Sequence, residues 1–124
     1  MIDLAGKLQA VFNDLRSKHG RMVLFGMFMP VSSEALWDVL ASAAWLHNDL
    51  KSYGIIDDAI RARLSVAERQ QISRIVILEP DSDSVVALLR ELPSDSSLAR
   101  LYFDFGGTRI RRAQIIHAAG TAKK

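Results

Sequence analysis

Met22-Val23-Leu24-Phe25-Gly26-Met27-Phe28-Met29 is an unbroken apolar run, and Ile75-Val76-Ile77-Leu78 is a second. A strand with one wet face alternates apolar and polar side chains. A run without alternation suits a strand covered on both faces. Two such runs predict a sheet with helices on each side. In open sheets of that kind, ligands bind beyond the carboxyl ends of the strands, where the strand order reverses.

The flanking segments supply the helices. Leu4, Leu8, Val11, Phe12 and Leu15 recur at helical spacing and predict a helix over about residues 2–19. Lys18 and His19 favour its C-terminal end, and Gly20 suits the residue beyond it. The first apolar strand covers about 21–29 and stops at Pro30. Ser32 and Ser33 are N-cap candidates for a helix reaching Leu46. Its Leu36, Trp37, Val39, Leu40, Ala43 and Ala44 suit a helix packed on two sides. Asn48 or Asp49 caps a further helix with Leu50, Tyr53, Ile56, Ile60 and Leu64 inward and Gly54 as a candidate break. Ser65-Val66-Ala67-Glu68 matches a capping box and predicts a short helix.

The second apolar strand covers about 73–79 and ends at Pro80. Asp81 or Asp83 caps a helix through Leu92, with Val85, Leu88, Leu89 and Leu92 inward. Leu101, Phe103 and Phe105 alternate with Arg100, Tyr102 and Asp104, the pattern of a half-exposed third strand. Gly106-Gly107 signals a type I′ turn into a last strand over about 108–117.

Long crossovers separate the first three strands, so all three are expected parallel, with only the hairpin strand antiparallel. The expected fold is a single α/β domain over 1–119 with a mixed four-stranded sheet and helices on both faces. A flexible tail over 120–124 follows. Right-handed crossovers and two doubly covered runs favour the spatial order 2-1-3-4. In that order Ser32, Ser33, Asp81 and Asp83 share a crevice between the first two strands.

The 124 residues suffice for one domain with a core. The absence of cysteine removes disulfides and thiolate chemistry, and fits a reducing, cytoplasmic setting. The N-terminal residues lack the pattern of a signal peptide, and no apolar stretch approaches the roughly 18 residues of a membrane span. Net charge is +2, split into +5 over residues 100–124 and −3 over the rest. Such asymmetry marks a candidate anionic partner.

Asp81-Ser82-Asp83 after an apolar strand resembles the aspartate pair of haloacid-dehalogenase-like phosphatases. The resemblance implies a small Mg²⁺-dependent phosphate enzyme. The pattern departs from that family where Glu79-Pro80 stands between strand and aspartates. Helix capping explains the same residues without chemistry. His19, His47 and His117 show no metal-ligand spacing, so no metal or cofactor is expected. Trp37, Trp45 and Tyr53 read as core residues.

The hairpin offers a surface. With Gly106-Gly107 as the loop, Asp104 opposes Arg109 and Tyr102 opposes Arg111. Arg100, Tyr102, Arg109 and Arg111 then share one exposed face. Arg112 falls on the apolar face unless a bulge near 111–112 turns it outward. The expected function is a small non-catalytic binding module acting through another protein or a second copy of itself, without a membrane partner. The alternatives are nucleic-acid binding by the arginine hairpin and the Mg²⁺ enzyme.

Overall fold

The computed structural model describes residues 4–32, 35–91 and 98–119, with only the backbone for 91 and 98–102. The chain forms one mixed α/β domain. Its elements are α1 (Leu4–His19), β1 (Leu24–Pro30), β2 (Trp37–Ser42), α2 (Leu50–Arg63), α3 (Val66–Arg69), β3 (Ile72–Ile77), α4 (Asp83–Glu91), β4 (Leu98–Phe105) and β5 (Thr108–Ala118). The five strands lie in the order β3-β2-β1-β5-β4.

The expectation of four strands is corrected here. The segment read as a helix to Leu46 contains β2, antiparallel to β1 with Phe25 opposite Ala41 and Phe28 opposite Asp38. Only β2 and β3 are parallel neighbours. β1 and β3 therefore run in opposite directions, so the three-parallel-strand arrangement does not form. The spacing of Trp37, Val39 and Leu40 suits a helix, but five of the six β2 residues are buried. A strand buried on both faces loses its two-residue period, and burial between neighbours overrides local propensity. β5 takes the inner place beside β1, because Ile110, Ala113, Ile115, Ile116 and Ala118 need cover on both faces. β4 is left at one edge and β3 at the other.

Helices lie on both faces of the sheet, but the second apolar run falls on the edge strand β3, where only Ile77 is fully buried. On one side, Leu8, Val11, Phe12 and Leu15 of α1 and Ile56 and Ile60 of α2 pack on Phe25, Met27, Val39, Ala41, Ile77 and Ile116. On the other, Val85, Leu88 and Leu89 of α4 pack with Leu24, Phe28, Leu40, Phe103, Ile110 and Ile115. Arg63 clamps α2 to α1 through two bonds to Asp14, at 2.7 and 2.8 Å. That guanidinium holds the Asp14 carboxyl below the usual carboxylate range.

Local signals hold where they specify their own hydrogen bonds. Gly20 sits past α1 at φ +109° and donates to the Arg16 carbonyl, closing the helix in the left-handed conformation that glycine favours. Ser65 and Glu68 close both bonds of the capping box, at 3.2 and 2.7 Å. The Ser65 amide holds the Glu68 carboxyl below its usual range, with Lys7 assisting. Its stabilising contribution is present above the ordinary carboxylate pKa and is lost as pH falls through the lowered one. Asp49 caps α2 by accepting from the Ser52 amide at 2.8 Å.

Two helix readings need correction. Leu50 does not face inward but is 90% exposed. Gly54 does not split α2, which continues unbroken to Arg63. A Cβ built at Gly54 meets nothing within 4 Å. Gly54→Ala is therefore expected to stabilise the chain by about 0.5–1 kcal/mol, since glycine inside a helix carries an entropy cost without a packing reason here. Chemical denaturation measures the gain, and a loss of stability would contradict it.

Candidate binding site

The sheet face under α4 is not fully covered. A cleft of about 180 Å³ opens there, floored by Phe28, Leu40, Val76 and Ile110 and walled by Leu78 and Phe105. Phe28 is 1% exposed and meets Phe103 and Phe105 edge-on, with ring centroids 5.5 and 5.1 Å apart. Ser84 of α4 and Gly106 of the hairpin turn lie at the rim. A Cβ at Gly106 would stand 3.5 Å from Ser84, so the helix start and the turn abut. Both turn glycines have positive φ, +57° and +84°, as a type I′ turn requires.

One ion pair marks the cleft. Asp38 on β2 and Arg74 on β3 are direct neighbours in register, and Arg74 Nε donates to Asp38 Oδ2 at 3.2 Å. The Asp38 side chain is 8% exposed and that of Arg74 66%. A buried carboxylate needs a partner, and the edge strand supplies it from its solvent side. Sequence periodicity points to neither residue: Asp38 sits in a segment whose spacing suits a helix, and Arg74 adjoins the apolar run 75–78. The available signal was a lone charge within an apolar strand segment, in each case.

Beyond Arg74 the sheet ends. Leu78 donates its amide to the Ala41 carbonyl at 3.0 Å, and β2 and β3 keep register from Asp38 to Ala41. Alternation along a parallel ladder then directs Val76 toward β2 and turns the Ile75 and Ile77 amides outward. No further strand lies beyond β3 among the described residues.

The residues expected to share a crevice do not meet. Ser32 follows β1, at the end of the sheet where β2 and β3 begin, whereas Asp81 follows β3 at the opposite end. Ser33 lies outside the described residues. Asp81 is exposed in a turn and Asp83 opens α4. Ser82, not either aspartate, takes the capping role: its Oγ accepts from the Val85 amide at 3.4 Å and its carbonyl from Val86 at 3.0 Å. Among the described residues no three His, Asp or Glu side chains gather as a metal site.

The hairpin keeps the expected pairing from Phe105–Thr108 to Leu98–Ile115 without a shift. The bulge lies in the other ladder of β5, where Met29 faces Arg112 and Pro30 faces Ile110 with Arg111 between them. Arg112 is exposed, its guanidinium 5.8 Å from the Trp37 ring centroid. Arg109 is exposed and bonds Asp104 at 3.4 Å. Arg111 is half-buried rather than exposed. Arg100 and Tyr102 lie in β4, with Arg100 opposite Ala113; their side chains fall outside the described residues. Each histidine has its own neighbour: His117 stacks on Phe12 and bonds the Met22 carbonyl, His19 stacks on Trp45, and His47 lies 3.6 Å from Glu79.

Comparison with protein-family models, with curated proteins and with solved structures finds no significant match to this chain.

Proposed function

We propose that the chain is a non-catalytic binding module that takes an extended segment of another polypeptide alongside β3. The observation carrying this reading is an apolar cleft open beside an edge strand whose Ile75 and Ile77 amides point outward. Strand addition satisfies such amides, and alternate side chains of the added strand fall on opposite faces. Those on the α4 side meet Val76, Leu78 and the cleft. The Asp38–Arg74 pair sets a polar boundary at one end of it. The hairpin arginines support nucleic-acid binding less well, because Arg111 is half-buried. The Mg²⁺ enzyme draws less support, because Asp81 is exposed in a turn and Asp83 opens α4 behind the Ser82 cap.

The test is amide hydrogen exchange during titration with a synthetic peptide of alternating valine and serine. Protection of the Ile75 and Ile77 amides, with little change at Val76, supports strand addition. Unchanged exchange at both isoleucines sinks it. A concentration-dependent dimer with the same two amides protected assigns the added strand to a second copy. Salt-sensitive oligonucleotide binding with shifts at Arg109 and Arg111 alone moves the function to the hairpin.

A further inference from the structure

On the opposite face of β3, beneath α2 and α3, Asp57, Ile60, Arg61, Arg69, Ser73 and Ile75 line a hollow of about 260 Å³. The charges here do not balance. Arg61 Nε is held by Asp57 Oδ2 at 2.7 Å, an i, i+4 pair. Arg74 also borders the hollow, but its Nε bonds Asp38 in the cleft on the other side. Arg69 ends α3; its Nε is buried and has no hydrogen-bond partner. Arginine stays charged and carries five donors in a rigid fork. A buried guanidinium donor without an acceptor is a costly arrangement that a ligand oxygen relieves.

We propose that Arg69, flanked by Arg61 and the Ser73 hydroxyl, is a receptor for a single carboxylate. The charge argues for one carboxylate. Arg61 and Asp57 cancel, which leaves one positive charge in the hollow. The fork of Arg69 matches a carboxylate in two parallel bonds. The exposed Arg61–Asp57 pair is weak enough for Arg61 to turn toward a bound anion. Ile60 and Ile75 form an apolar wall beside it, suited to the carbon stem that bears the carboxylate. The carboxylate can come from a free small acid or from an acidic side chain on a strand beside β3. Only the second source rests on strand addition; the free acid needs no added strand.

The probes are sodium acetate and inorganic phosphate at ionic strength held constant with chloride, read at the Arg69 Nε–Hε resonance of the unaltered chain and, in every variant, at the backbone amides of Ser73 and Ile75. A saturable shift with acetate beyond chloride is expected. Arg69→Gln should abolish it. Arg69→Lys, which keeps the charge and loses the fork, should weaken it at least about tenfold. A peptide of alternating valine and glutamate separates the sources. Saturation about tenfold below the acetate concentration places the carboxylate on a polypeptide; saturation no tighter than acetate assigns a free acid. If the valine–serine peptide is silent while acetate saturates, strand addition fails and the carboxylate site holds. No difference between acetate and chloride overturns the site, since water alone would then serve Arg69. Phosphate binding about tenfold tighter than acetate, or more, overturns the carboxylate assignment.

Discussion

Phe28→Ala is expected to lower the stability of the chain by about 3–5 kcal/mol, the range for removing a buried phenylalanine. Phe28 sits on the central strand, 1% exposed, and both aromatic rings of β4 that are described, Phe103 and Phe105, pack edge-on against it. Truncation removes the ring, both aromatic contacts and part of the floor of the cleft together. The void resists collapse, because Phe28 is held between Asp38 on β2 and Ala113 on β5 by two backbone ladders. Equilibrium denaturation measures the loss. A cost below about 1 kcal/mol would mean that the α4 face relaxes freely, and the packing described for it would be wrong.

Gly26→Ala is expected to cost about 2 kcal/mol, through overpacking rather than a cavity. A Cβ at Gly26 would lie 2.9 Å from the Gln114 carbonyl oxygen and 3.1 Å from the Ile115 Cα. Both are backbone atoms of β5, so no side chain can swing away. The position coincides with the register shift between Phe25 and Gly26 in the β1–β5 ladder. The extra methyl must push β5 from β1, in the middle of the sheet. Thermal or chemical unfolding checks this, and Gly54→Ala is the natural control. The same substitution gains stability in open space on α2 and loses it between two strands. A neutral Gly26→Ala would show that the two strands separate without penalty.

The elements legible in sequence are those whose signals close on themselves. The Ser65–Glu68 box needs only four residues to make both of its bonds. Gly20 ends α1 by a bond to a carbonyl four residues earlier. Gly106-Gly107 sets the hairpin register, and every recorded pair of β4 and β5 follows from that turn. The apolar runs at 22–29 and 75–78 implied a sheet covered on both faces, and α1 and α2 lie on one face with α4 on the other. None of these required knowledge of a distant partner.

The candidate site was not legible, for one physical reason. Trp37 to Ser42 carries apolar residues that fit a helix and a doubly buried strand equally well. Periodicity cannot separate the two where every position is buried. Reading a helix there hid Asp38, removed a strand from the sheet and turned β3 parallel to β1. With that direction reversed, Ser32 and Asp81 moved to opposite ends and the expected crevice vanished. The Arg74 that answers Asp38 is 36 residues away in sequence and adjacent across the ladder.

The sequence alone determined that helices cover both faces of a sheet, where α1 stops and how the last hairpin turns. Those features rest on local hydrogen bonds and on which residues must leave water. Tertiary structure decided the strand order, the direction of β3, the cleft and the unpartnered Nε of Arg69. Each of these depends on which distant segments pack together, and burial rewards any pairing that hides the same apolar surface.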